Sequence, residues 1–162
     1  MIRYEPAVLA LADALRARGW KIATAESCTG GLIAAACTAV AGSSDWFERG
    51  FVTYSNEAKA ELLGVPAALI ASFGAVSAEV ARAMAEGALQ HSRAQLAVAV
   101  TGIAGPGGGS RAKPVGTVWL ALAQSGRGAS AELLQLAGDR AAVREQTVHA
   151  ALARLRASAR LA

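Results

Sequence analysis

Histidine is almost missing from this chain of 162 residues, where only His91 and His149 occur, and cysteine is as scarce, at Cys28 and Cys37. Two cysteines so spaced form neither a disulfide framework nor a CxxC or zinc pattern, so no His/Cys metal centre is expected. Aromatic residues make up 5% of the chain and charged residues 17%. The formal net charge is +4, with the excess gathered late, at Arg140, Arg144, Arg154, Arg156 and Arg160. Without aromatics between them these arginines read as a solvated helix face, one or two recruited to a small anion, and not as a nucleic-acid surface. No apolar run reaches the ~18 residues that span a bilayer, and residues 1–11 lack the charged start and unbroken apolar centre of a signal peptide. The expectation is a soluble cytoplasmic protein with neither membrane nor nucleic-acid partners.

Apolar residues are plentiful: hydrophobic types reach 54%, much of it alanine, which suits helices packed closely on a sheet. No repeat, linker or low-complexity tract divides the chain, so residues 1–162 are expected to form one domain around one core. Val8, Leu11, Ala12 and Leu15 recur at helical spacing between Ala7 and Arg18, with Pro6 in the first turn and Gly19 as the stop. Strands are expected at Trp20 to Ala25, Trp46 to Tyr54, Leu96 to Thr101, Gly116 to Ala123 and Ala131 to Leu136. Helices are expected from Thr29 to about Ala41–Gly42, over 57–63 behind Ser55–Asn56, over 67–72, after Ser77, and after Asp139. This alternation predicts a three-layer α/β/α fold with a mixed, mostly parallel central sheet whose last strand pair is antiparallel.

Two stretches stand out. Glu26 to Gly31 falls between a buried strand and a helix, so Ser27 sits on the tip of a strand–turn–helix corner. Free N–H groups at a helix start can hold a phosphate or an oxyanion, and two glycines admit a substrate to the backbone. Equally, a Ser or Thr cap followed by a Gly-Gly turn needs no ligand. The second stretch, Thr101 to Ser110, packs five glycines into one loop, more than a turn alone requires. It matches neither a P-loop nor a dinucleotide fingerprint, leaving a hairpin tip or a ligand-hugging loop.

A serine needs a base, and with histidine so rare, lysine is the candidate. Only Lys21, Lys59 and Lys113 exist, and Lys59, just past a strand, can face the Ser27 corner if the two strands end at one edge of the sheet. Acting as a base requires it neutral, through burial and the nearby helix N-terminus. Tyr54 could relay the proton or hold the ammonium. The competing reading places Lys59 in solvent and Tyr54 in the core with its hydroxyl at the rim.

Five blocks, Glu26-Ser27-Cys28-Thr29-Gly30-Gly31, Gly50 to Lys59, Thr101 to Gly108, Lys113 to Val118 and Gly138-Asp139-Arg140, appear in this order. Together they resemble the CinA C-terminal domain family, whose enzymatic members are nicotinamide-nucleotide amidohydrolases. The resemblance implies hydrolysis of the carboxamide of nicotinamide mononucleotide (NMN) to nicotinic acid mononucleotide and ammonia, with no metal or cofactor. It assigns Ser27 as nucleophile, Lys59 as base and Tyr54 as their catalytic companion. It places Cys28, Thr29, Gly30, Gly31 and Asn56, then Thr101, Gly102, Ala104, Gly105 and Arg140, around the nucleotide, the arginine at its phosphate. N–H groups between Cys28 and Gly31 are expected to stabilise the oxyanion, with Cys28 a packing residue or backbone donor rather than a rival nucleophile. A homo-oligomer is expected. The alternative is a nucleotide-sensing or protein-binding module without turnover, linked to competence or DNA damage.

Overall fold

Alternate residues of the central strands differ in size as well as in direction. Side chains one apart on a strand point to opposite faces. Here one face carries Ile22, Leu96, Val98, Val100, Val118 and Leu120, and the other carries Ala23, Ala25, Ala97, Ala99, Ala121 and Ala123. The computed structural model describes residues 2–160. After a short 3-10 turn its elements run α1 (Glu5–Arg18), β1 (Ile22–Glu26), α2 (Leu32–Thr38), β2 (Phe47–Val52), α3 (Asn56–Leu63), α4 (Ala67–Phe73), α5 (Ala78–Gln90), β3 (Leu96–Gly102), β4 (Thr117–Gln124), β5 (Gly128–Gln135) and α6 (Arg140–Arg160).

The five strands form one sheet in the order β2-β1-β3-β4-β5. β1 runs parallel to β2 and β3, whereas β4 is antiparallel to both its neighbours, so the sheet is mixed with a parallel core, as expected. The bulky face buries against α1, α2 and α6 through Leu11, Leu15, Ile33, Leu152 and Leu155. The alanine face admits Ala81, Met84, Ala85 and Ala88 of α5. α5 also approaches the end of α3 closely, since a Cβ on Gly87 would lie 2.0 Å from the Leu63 carbonyl oxygen. No helix of the described residues is long and apolar enough to cross a membrane.

Element boundaries differ from expectation where side chains compete. Trp20 lies outside β1, its ring under the Arg18 guanidinium at 3.5 Å from the centroid. α2 is shorter than expected at both ends: Gly30 and Gly31 have φ of 58° and 107°, which no right-handed helix accepts. At its other end the Thr38 hydroxyl donates to the Ala34 carbonyl, a local bond that competes with continuation, and Ala39 N–H closes a tighter turn on Ala36. β2 stops at Val52 because Ser55 caps α3, accepting from Ala58 N–H at 3.0 Å. β5 begins three residues earlier than the expected Ala131, since Gly128 pairs with Gln124 across a tight hairpin.

Candidate active site

Because Glu26 pairs with Val52 on one side and Val100 on the other, β1, β2 and β3 reach the same edge of the sheet together. Two further bonds continue the ladder beyond it, Ser27 N–H to the Val100 carbonyl at 3.1 Å and Thr53 N–H to the Glu26 carbonyl at 2.9 Å. Ser27 is thereby fixed beside the segment that leads into α3. Lys59 is the fourth residue of α3, and its side chain reaches back to that segment. Its Nζ lies 3.1 Å from Ser27 Oγ, thirty-two positions away in sequence.

Two more contacts complete the amine's surroundings: the carbonyls of Thr53 and Tyr54, each 3.1 Å from Nζ. Lys59 is only 1% exposed, so the solvent-facing reading does not hold. Burial pushes the pKa of its amine below the usual 10.5, and the start of α3 adds an unfavourable positive pole. A neutral amine has two N–H groups and one lone pair. Donating both of these to the carbonyls would leave the neutral amine's lone pair for the Ser27 hydroxyl, whose Oγ also lies 3.4 Å from the Tyr54 carbonyl. The ammonium form satisfies the same three partners as donors, so a proton can arrive without any side chain moving.

The corner after Ser27 consists of two consecutive turns. Gly30 N–H donates to the Ser27 carbonyl at 3.0 Å, and Leu32 N–H donates to the Thr29 carbonyl at 3.1 Å. Among the described residues no non-glycine residue has positive φ, so the first turn, with Cys28 and Thr29 at its centre, is type I. The second has positive φ at both central residues, Gly30 and Gly31, which defines type I′ and accounts for the glycine pair. This corrects the oxyanion expectation in part, because the Gly30 N–H is already engaged. Thr29 and Gly31 N–H have no hydrogen-bond partner among the described residues.

Two residues whose roles sequence reasoning missed hold this corner. Glu26, 1% exposed, accepts from Thr29 Oγ1 at 2.6 Å and from the N–H groups of Ile33 and Ala34 at 2.8 and 3.0 Å. It therefore occupies the start of α2, which is not open to a phosphate. Arg144 donates from Nε to the Cys28 carbonyl at 3.1 Å and from Nη2 to the Thr29 carbonyl at 3.3 Å. The available signals were Glu26's position at a strand end before a helix and Arg144's place one helical turn after Arg140.

The remaining expected residues are placed as follows. Tyr54 is 61% exposed, and its hydroxyl accepts from Arg140 Nη2 at 3.3 Å. Of the two roles expected of Tyr54, relaying the proton or holding the ammonium, the contact seen with the lysine is made by its carbonyl, while its phenol meets Arg140. Arg140 also donates to the Gly105 carbonyl at 2.8 Å, tying the glycine-rich loop to α6 beside a cavity of about 460 Å³ lined in part by Ala104, Pro106 and Val115. Thr101 is buried and donates to the Ala75 carbonyl, and Ala104 packs into the core. A Cβ on Gly102 would meet Val118 at 2.6 Å, and one on Gly105 would meet Val115 at 2.5 Å, so packing explains Gly102, and packing together with a φ of 88° explains Gly105. Asn56 makes no hydrogen bond to the Ser27 corner and instead lines a groove of about 430 Å³ between α3 and α4. Ser27 lines neither cavity. Cys28 is buried, and burial first, then the neighbouring Glu26, push its thiol up to about 11, leaving it a protonated packing residue at neutral pH.

Fold and site define a three-layer α/β protein with a buried serine–lysine pair where its parallel strands end. The chain belongs to the CinA C-terminal domain family, whose pattern it matches over residues 5–159. It is 55% identical over 140 residues to nicotinamide-nucleotide amidohydrolase PncC of Escherichia coli K12, covering 86% of this chain and 85% of that protein. It is 58% identical over 142 residues to the protein of the same name from Pseudomonas putida, covering 88% of each. A CinA-like protein of Geobacter sulfurreducens is 58% identical over 147 residues, 91% of this chain but only 35% of that longer relative. Among solved structures, the competence/damage inducible protein CihA of Agrobacterium tumefaciens superposes with a TM-score of 0.90 at 49% identity, covering 94% of this chain and 93% of that one.

Proposed function

We propose that this protein is an amidohydrolase that converts NMN and water to nicotinic acid mononucleotide and ammonia through Ser27 and Lys59. The observation that carries the mechanism is the 3.1 Å approach of a buried lysine amine to a serine hydroxyl, with two backbone carbonyls holding the amine in place. The relatives named for this activity, matched over most of both chains, support the substrate.

Ser27 Oγ attacks the carboxamide carbon while its proton passes to Lys59 Nζ. The C–O bond forms as the carbonyl π pair moves onto oxygen, giving a tetrahedral oxyanion that backbone N–H groups of the corner receive. Collapse breaks the C–N bond. The lysine returns its proton to the departing nitrogen, ammonia leaves and a Ser27 ester remains. Water then attacks the ester with Lys59 accepting its proton, and the acid is released as Ser27 recovers its hydrogen. Arg140, exposed and beside the glycine-rich loop, supplies the positive charge for the phosphate.

The test is incubation of the protein with NMN, measuring nicotinic acid mononucleotide and ammonia in equal amounts, alongside Ser27→Ala and Lys59→Met. Turnover by the wild type and its loss in both variants is expected. NMN that binds but is never hydrolysed would overturn the enzymatic reading. A cytoplasmic, self-associating protein in pyridine-nucleotide recycling goes with this proposal, and light scattering after size-exclusion chromatography tests the self-association.

A further inference from the structure

A type I turn places the N–H of its third residue on the side of the first residue's side chain, the geometry by which a serine there can bond its own backbone two positions on. In the Ser27–Gly30 turn that group is the Thr29 N–H. Ser27 Oγ is turned instead toward Lys59 and the Tyr54 carbonyl, and the Thr29 N–H is left without a partner among the described residues.

What holds that N–H in place comes from the far end of the chain. The Cys28 carbonyl and the Thr29 N–H belong to one planar trans peptide and point in opposite directions. Arg144 Nε holds the carbonyl at 3.1 Å, so the N–H is aimed away from α6. The same guanidinium holds the next carbonyl, that of Thr29, at 3.3 Å, so the 28–29 and 29–30 peptide planes are clamped by one rigid fork. On the opposite flank Glu26 fixes the Thr29 hydroxyl at 2.6 Å. A cation bonded to a peptide carbonyl also polarises that peptide and strengthens its N–H as a donor.

We infer that Arg144 is a positioning residue for the reaction, orienting and polarising the 28–29 peptide so that the Thr29 N–H is a donor to the tetrahedral oxyanion formed on Ser27. The inference rests on the proposed role of Ser27 as nucleophile and adds what completes its site. Arg144 touches neither substrate nor Ser27 Oγ in this scheme; it acts through the peptide it holds. Arg140, one turn earlier on the same helix, serves the other end of the substrate, and the two arginines divide binding from rate.

The experiment is steady-state NMN hydrolysis by wild type, Ser27→Ala, Arg144→Ala and Arg144→Lys, with melting temperatures. Deleting one oxyanion donor lowers kcat by roughly 10²–10³-fold, and misorienting it should give part of that, about 10–100-fold. Arg144→Ala is expected to lose this in kcat with KM within about twofold, and millimolar methylguanidinium should restore part of the loss. Arg144→Lys, which keeps charge and bulk but not the fork, tolerates folding best and should also lose kcat rather than KM. A folded Arg144→Lys or Arg144→Ala with wild-type kcat, or one whose defect is confined to KM, overturns the positioning role while leaving Ser27 as nucleophile. Activity that survives Ser27→Ala overturns the proposed function and the positioning role together, since the Thr29 N–H would then have no oxyanion to meet.

Discussion

The corner after β1 and the loop after β3 leave the same edge of the sheet, and both are rich in glycine, but their glycines answer different demands. In the corner, Gly30 and Gly31 exist for direction: both have positive φ, and Cβ atoms on them would meet neighbours no nearer than 3.6 and 3.5 Å. At the loop, Gly102 and Gly109 exist for room, because Cβ atoms there would fall 2.6 and 2.9 Å from atoms in the returning segment 114–118, and Gly105 answers both demands, with a φ of 88° and a Cβ position 2.5 Å from Val115. Glycine density alone therefore marks no ligand. What separates the two is the company each keeps, a buried amine at the corner and a surface arginine at the loop.

The largest effect expected is loss of chemistry at the corner. Ser27→Ala and Lys59→Met should each lower NMN turnover on the order of 10⁴–10⁶-fold, and the double variant little further, since the two act as a unit. Rates measured on all three check this, and multiplicative losses would contradict it. Next comes direction. Gly31→Ala forces a side chain to φ of 107°, a strain of roughly 1–3 kcal/mol, and because it bends the turn behind Ser27 it should cut kcat as well as melting temperature.

Room is different in kind. Gly105→Ala should lower stability by about 2–3 kcal/mol, and Val115→Ala in the same chain should recover the steric share by removing the atom 2.5 Å from the new Cβ. Denaturant unfolding of the single and double variants measures that recovery. No partner substitution should rescue Gly31→Ala, whose cost is conformational. Smallest of all is Gly107→Ala, where nothing lies within 4 Å and φ is not positive: stability should change by less than about 0.5 kcal/mol.

The order and type of the elements were legible, because five short apolar runs alternate with helical patterns and turn residues. Lys59 was a candidate partner for Ser27 because only three lysines exist and parallel strands can end together, but the family resemblance decided the pairing. Backbone groups were not legible. The carbonyls of Thr53 and Tyr54 that orient the amine are present in every residue and leave no compositional trace. For the same reason the expectation that Tyr54 relays the proton or holds the ammonium named no backbone atom, yet its carbonyl is what meets the amine while its phenol meets Arg140. Arg144 looked like any arginine on a solvated helix, since its place one turn after Arg140 gives a shared face but not a contact made 116 positions away. Gly102 and Gly105 looked like ligand contacts because the packing they permit depends on Val115 and Val118 across the hairpin.

Protonation at the corner carries a definite sign. Only the neutral amine can take the Ser27 proton, and its population rises with pH, so kcat/KM should climb as pH increases and level off at the pKa of Lys59, below lysine's ordinary 10.5. The scarcity of lysine makes that pKa directly observable. With lysine labelled at Cε, the protein gives three carbon resonances, from Lys21, Lys59 and Lys113, which can be followed against pH and assigned by Lys59→Met. The Lys59 signal is expected to titrate below lysine's ordinary 10.5 and to match the plateau of the rate profile. A Lys59 signal that titrates at or above 10.5 would refute the neutral-base role.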